Sequence, residues 1–137
     1  MRNLLIVAAL AVFAVVGRAQ EPVFVAHPAV VESALSPEQV KNILLGTKTR
    51  WDSGPVIKLV ILTRGEVNDA VIRDYTQRSA DQFDKFWKKQ VFSGKGAMPA
   101  TGGTDAEILA FVAANPGAFG YIDKSSVTPA VKVIAVE

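Results

Sequence analysis

An apolar run, Val56–Leu62, constrains the fold of this chain most strongly, and only Lys58 interrupts it. A strand with one face in water alternates apolar and polar side chains, but this segment does not alternate. The run therefore predicts a strand that is covered on both faces, and helices are the elements that usually supply such cover. A chain of 137 residues is long enough for one domain of this kind.

The helices are predicted from the signals at their first residues. Three capping boxes are present, at Ser36–Gln39, Ser79–Gln82 and Thr104–Glu107. The first helix should end at Gly46 and the last at Asn115, which precedes a Pro-Gly pair. Between the first two boxes, Asn68 or Asp69 is predicted to cap a shorter helix.

The remaining strands are predicted where β-branched and aromatic residues cluster, at Val23–Ala26, Ala118–Ile122 and Val131–Val136. The predicted order is strand, helix, strand, three helices, strand, strand. This order favours an α/β fold with three layers, in which helices flank a mixed sheet on both faces.

The N-terminal segment has the parts of a secretory signal peptide. Arg2 precedes an apolar run, Leu4–Val16, and small residues lead to Ala19. At about 1.5 Å per residue the run spans about 20 Å, short of the roughly 30 Å hydrocarbon core of a membrane. We expect cleavage after Ala19, with residues 1–19 as signal peptide and residues 20–137 as a single periplasmic or secreted domain without stable membrane insertion.

The composition excludes several classes of site. The chain has no cysteine and one histidine, which excludes disulfides, thiolate zinc sites, cysteine nucleophiles and centres built from several histidines. Its net charge of +2 comes from the two arginines of the predicted signal peptide, so the mature chain is neutral. Neutrality gives no reason to expect nucleic acid as a partner.

The histidine, His27, follows the first predicted strand. A catalytic role would require a nucleophile or carboxylate beside it, and the sequence singles out neither. The plainer interpretation is a loop histidine whose ring is hydrogen-bonded or solvated. We therefore expect no enzymatic activity, no metal and no cofactor.

Two loops have the composition of anion sites. The first, Thr63–Gly65, follows the apolar strand and leads to a helix start, so that a hydroxyl, a cation and backbone N–H groups converge. The second, Thr101–Thr104, precedes the last capped helix and contains two glycines. The alternatives are a flexible connector for the second loop and, for the first, a surface arginine paired with Glu66 or Asp69. The residues predicted to contact an anion are Thr63, Arg64, Gly65 and Asn68.

Several segments resemble a known family. In the first segment a capped helix leads through a glycine to a tryptophan, over Leu35–Val40, Ile43–Gly46 and Thr49–Trp51. In the second, Phe111–Tyr121, a Pro-Gly pair is followed by a Gly-Tyr pair. These segments resemble the phosphate-type periplasmic solute-binding proteins of ABC transporters. The resemblance implies a type 2 periplasmic-binding-protein-like fold of two lobes with the solute between them, of which this chain would supply one lobe.

The resemblance also implies a function. The arginine of the family's anion loop is the counterpart of Arg64, but the Ser-Gly-Thr group that follows it in the family is missing here, where the chain reads Gly65–Asn68. The implied function is binding of a small anionic solute such as phosphate, weakly or with a partner. The alternative is a non-catalytic interaction module that docks onto an envelope protein or forms a homodimer.

Overall fold

The computed structural model describes residues 20–137. The predicted signal peptide, residues 1–19, lies outside the described residues. Within residues 20–137, none of the helices combines the length and the apolar character that crossing a membrane requires.

Six strands of residues 20–137 form one mixed sheet, flanked by four α-helices. The strands are β1 (Pro22–Ala26), β2 (Ala34–Leu35), β3 (Lys58–Leu62), β4 (Ala100–Gly102), β5 (Ala118–Asp123) and β6 (Lys132–Val136). The helices are α1 (Pro37–Leu44), α2 (Glu66–Thr76), α3 (Ala80–Phe92) and α4 (Asp105–Ala114). The strand order is β2-β6-β1-β5-β3-β4. β3 runs parallel to its neighbours β4 and β5, whereas β1 is antiparallel to β5 and β6.

Helices cover both faces of the sheet, as the apolar run predicted. Tyr121 and Gly120 are neighbours in β5 and therefore face opposite sides. The Tyr121 hydroxyl donates to Asn68 of α2, whereas the backbone of Gly120 lies against Ile108 of α4. The predicted three-layer α/β arrangement is confirmed.

The helix starts follow local capping chemistry, with two corrections. Ser36 and Ser79 each accept a backbone N–H three residues on, and the glutamine there reaches back, so both predicted boxes are present. Thr104 caps α4, but the Glu107 side chain bonds to the N–H of Gly103 instead of closing the box. The prediction that Asn68 or Asp69 caps α2 is wrong, because the helix begins earlier, with Gly65 as its N-cap.

The four predicted strands are present, three of them with bounds within one residue of the prediction, but two short strands were missed and one boundary differs by two residues. β2 and β4 were not predicted because two or three residues carry too little pattern, and pairing with a neighbour defines them. The strand within the apolar run begins at Lys58, two residues later than predicted, and Val56 is exposed.

The two segments that carry the family resemblance meet in the core. The indole N–H of Trp51 donates to the Gly117 carbonyl at 3.0 Å, and its ring packs edge-on against Phe119. Gly117 has a φ of +81°, and a Cβ there would collide with the carbonyl oxygen of Val56. Only glycine fits this close approach without strain.

Candidate functional site

The parallel pairing of β3 and β4 brings the two predicted anion loops together. Leu62 lies opposite Gly102 in the register, and the N–H of Thr63 donates to the Gly102 carbonyl at 3.1 Å. Both strands therefore finish at the same end of the sheet, and each leads directly into a helix. We call this place the Arg64 site and define it as the loop Thr63–Gly65, the first turn of α2 and the loop Gly103–Thr104.

Arg64 supplies the positive charge of the site. A Cβ placed on Gly103 would lie 3.2 Å from Nη2 of Arg64, so the guanidinium group lies over the backbone of the second loop. Its side chain is exposed. Within residues 20–137 Arg64 makes no ion pair, so the alternative of a surface arginine paired with Glu66 or Asp69 is not observed.

The start of α2 supplies backbone donors. Its N-cap, Gly65, has a φ of +100° and offers no side-chain acceptor, whereas Ser36, Ser79 and Thr104 cap the other three α-helices of residues 20–137. The first N–H groups of a helix need partners from outside the helix. At α2 these groups point toward solvent or ligand, and the helix dipole favours an anion there.

A carboxylate also enters the site, and the sequence did not reveal its role. Oε2 of Glu107 accepts the N–H of Gly103 at 2.5 Å and lies 3.6 Å from the place that a Gly103 Cβ would take. The N–H of Gly103, a backbone donor beside Arg64, is therefore already hydrogen-bonded to Glu107. Asp105, in the same helix turn, is engaged elsewhere, because its Oδ2 accepts the Ser126 hydroxyl at 2.6 Å. The sequence predicts that the Glu107 side chain closes the third capping box. Its bond to the N–H of Gly103 depends on the conformation of the loop, which the sequence pattern does not specify.

The Asn68 side chain lies in the core, away from the other predicted contacts. Asn68 is 4% exposed, and its Oδ1 accepts the Tyr121 hydroxyl at 2.7 Å. Burial raises the pKa of Tyr121, which keeps this hydroxyl protonated as a donor. Thr63, Arg64 and Gly65 therefore lie together in the Arg64 site, whereas the Asn68 side chain is bonded to Tyr121 in the core.

His27 lies at the other end of the sheet. It follows β1, and because β1 is antiparallel to β5 it stands where β3 and β5 begin. Its Nδ1 accepts the N–H of Ala29 at 3.0 Å, in keeping with a hydrogen-bonded loop histidine. The described part of the chain contains no cluster of histidine and carboxylate side chains suited to a metal ion.

Comparison with known proteins identifies the fold. No family model and no curated protein matches the chain. Among solved structures, a Clostridium perfringens protein with bound phosphate is 21% identical, with a TM-score of 0.64 over 86% of this chain and 46% of its own. An ABC-type phosphate transport receptor of Vibrio cholerae is 20% identical, with a TM-score of 0.57 over 84% of this chain and 45% of its own.

PstS from Borrelia burgdorferi is 13% identical, with a TM-score of 0.57 over 86% of this chain and 47% of its own. The chain shares the fold of the part of these proteins that it matches. It spans less than half of their length, which accords with the one lobe that the sequence resemblance implies. At such identities the comparison shows a shared architecture and leaves the ligand to be argued from this chain's own residues.

Proposed function

We propose that this protein is an exported solute-binding protein that holds a small inorganic anion, phosphate in the first instance, at the Arg64 site. The observation that carries the proposal is the position of the Arg64 guanidinium over Gly103, without a carboxylate partner in the described chain, beside the start of α2 that lacks a side-chain cap. An unpaired cation and free backbone donors are the groups that bind a phosphate oxygen.

The solved structures support the choice of anion. The Clostridium perfringens protein was solved with bound phosphate, and the Vibrio cholerae protein is a phosphate transport receptor. By analogy, this chain would deliver an anion to an ABC transporter outside the cytoplasm without catalysing a reaction. Residues 1–19 would direct export, and residues 20–137 would form the domain that binds.

Three kinds of group at the Arg64 site would contact the anion. Arg64 donates charged hydrogen bonds to the anion, Thr63 offers its exposed hydroxyl, and the N–H groups that follow Gly65 point along the α2 axis toward the anion. Asn68 contributes only its place in the first turn of that helix, because its side chain is bonded to Tyr121.

An isothermal titration of the purified protein with phosphate tests the proposal. We expect saturable binding that weakens about tenfold or more in Arg64→Ala, because a hydrogen bond to a charged group contributes about 1.5–3 kcal/mol. Arg73→Ala is the matched control, since Arg73 is an exposed arginine near the end of α2 that pairs with Asp74. Equal affinity in the two variants, or no heat with phosphate, would overturn the proposal.

The alternative interaction module predicts an apolar patch beside these loops. Among large apolar side chains of residues 20–137, Phe92 and Val31 have the greatest exposure, 96% and 74%. Phe92 ends α3, and Val31 lines a hollow with Lys58 and Gly117 where β3 and β5 begin. The Arg64 site itself presents polar and charged groups, so we favour anion binding over docking of an envelope protein or a second copy.

A further inference from the structure

A cavity lies where β3 and β4 begin, at the end of these strands opposite the Arg64 site. It has a volume of about 350 Å³ and opens between the end of α1, the second half of α3 and the loop that precedes β4. We call it the Trp87 pocket. Its large apolar lining residues include Ile43, Ile57, Trp87, Met98 and Phe111, and its charged lining residues are Lys48, Lys58 and Lys95.

The apolar wall is rigid at its centre. Trp87 is 6% exposed, and its indole N–H donates to the Leu44 carbonyl at 3.0 Å, which fixes the ring. The ring lies so close to Gly46 that a Cβ there would approach its Cη2 to 2.6 Å. Met98 also lines the pocket and is 42% exposed, so an apolar ligand that packs against it would remove apolar surface from water.

The charge of the pocket has one sign. Three lysines and no carboxylate line it within residues 20–137. Lys48 is neutralised by Asp52, whose oxygen lies 2.6 Å from its Nζ, whereas Lys58 and Lys95 form no ion pair in the described chain. Two lysines that lack an ion pair within residues 20–137 and line a largely apolar cavity favour a ligand with an anionic end and an apolar body.

We infer that the Trp87 pocket binds a small amphipathic organic anion, an aromatic carboxylate being the best-fitting class. The apolar body packs against Trp87 and Met98 while the carboxylate lies near Lys58 and Lys95. Inorganic phosphate does not suit this cavity, because it would lose hydration against apolar walls without gaining enough donors. The inference is independent of the Arg64 site, which lies beyond the other ends of the same two strands.

Titration of the purified protein with naphthoate tests this inference. Naphthalenemethanol carries the same apolar body without charge, and acetate carries the charge without the body. We expect saturable binding of naphthoate and at least fivefold weaker binding of either comparison compound. Exposed ion pairs contribute up to about 1 kcal/mol, so Lys58→Gln and Lys95→Gln should each weaken naphthoate binding about threefold to fivefold.

Two further variants locate the ligand. A Cβ on Gly96 would lie 3.6 Å from the Trp87 ring, an ordinary contact, so Gly96→Leu should fill the pocket and abolish naphthoate binding. Lys89→Gln is the matched control, because Lys89 is an exposed α3 lysine outside the pocket lining, and it should leave the affinity unchanged. Thermal melting verifies that each variant is folded.

The outcomes separate the two sites. Excess phosphate and the Arg64→Ala variant should leave naphthoate binding unchanged. Absence of naphthoate binding at millimolar concentration, binding that Gly96→Leu does not affect, or equal binding of naphthalenemethanol would each overturn the inference. None of these results bears on whether phosphate binds at the Arg64 site.

Discussion

Asn68 and Tyr121 join helix and sheet through a buried hydrogen bond of 2.7 Å. Both residues lie in the core between α2 and β5. A buried donor and acceptor stabilise a fold when they are paired and destabilise it when one is removed. This bond fixes the start of α2, and with it the position of the Arg64 site.

Removal of the Tyr121 hydroxyl should therefore destabilise the protein. Tyr121→Phe leaves Oδ1 of Asn68 buried without its donor, at a cost of about 1–3 kcal/mol. Tyr75→Phe is the control, because Tyr75 is half-buried against Phe24 and its hydroxyl makes no hydrogen bond within residues 20–137. Urea denaturation measures both variants, and equal midpoints would show that the Tyr121 bond contributes nothing.

Glu107 should oppose anion binding. Its carboxylate accepts the N–H of Gly103 and brings negative charge beside Arg64, so it repels an arriving anion. Glu107→Gln removes the charge and keeps an oxygen that can accept from Gly103. We expect phosphate to bind about threefold to tenfold more tightly to this variant in the same titration. Weaker binding would instead assign Glu107 a supporting part in the site.

At the scale of elements, α4 packs against β3 and β5 at a glycine. A Cβ on Gly120 would lie 2.8 Å from Cγ1 of Val60 and 3.0 Å from Cγ2 of Ile108. These side chains come from β3 and α4, so the absence of a side chain at Gly120 lets the helix approach the sheet closely. The same approach places the start of α4 beside the end of β3.

Gly120→Ala should separate α4 from the sheet. Overpacking of a well-packed core costs about 1–3 kcal/mol, and we expect a loss of that size in the free energy of unfolding. Gly96→Ala is the control, because a Cβ there meets the Trp87 ring at 3.6 Å in ordinary contact. Thermal or urea unfolding of the two variants decides the point, and equal stability would mean that α4 adjusts without cost.

At the scale of the whole molecule, the two proposed sites differ in their surroundings. The Arg64 site is open, since Thr63, Arg64, Gly65 and Glu66 are all exposed. A ligand that keeps one side in water gains less from desolvation, so affinity for phosphate should be modest. The Trp87 pocket is instead a cavity of about 350 Å³ with large apolar side chains in its lining.

Salt should therefore distinguish the sites. The Debye length falls from about 10 Å at 0.1 M ionic strength to about 3 Å at 1 M, so an exposed cation loses much of its attraction for an anion. We expect phosphate binding at the Arg64 site to weaken by about tenfold or more over this range in sodium chloride. Naphthoate binding should weaken less, because burial of its apolar body does not depend on screening. Salt-independent phosphate binding would contradict an exposed electrostatic site.

Features that depend on neighbouring residues in the chain could be predicted from the sequence. The capping boxes at Ser36 and Ser79, the end of α1 at Leu44 just before Gly46, and the burial of β3 follow from local hydrogen bonding and from unbroken hydrophobicity. The residue order was therefore sufficient to predict an α/β fold with helices on both faces of a mixed sheet.

Which residues share a site depends instead on how the strands and helices pack together. Strand order and direction placed Gly103 beneath Arg64, turned Asn68 toward Tyr121 and put His27 at the far end of the sheet. These relations depend on pairing between residues that are distant in the chain, and a short strand such as β4 carries almost no pattern of its own. A local sequence pattern can indicate where a loop begins. Which other loop lies beside it depends on strand pairing across the whole sheet.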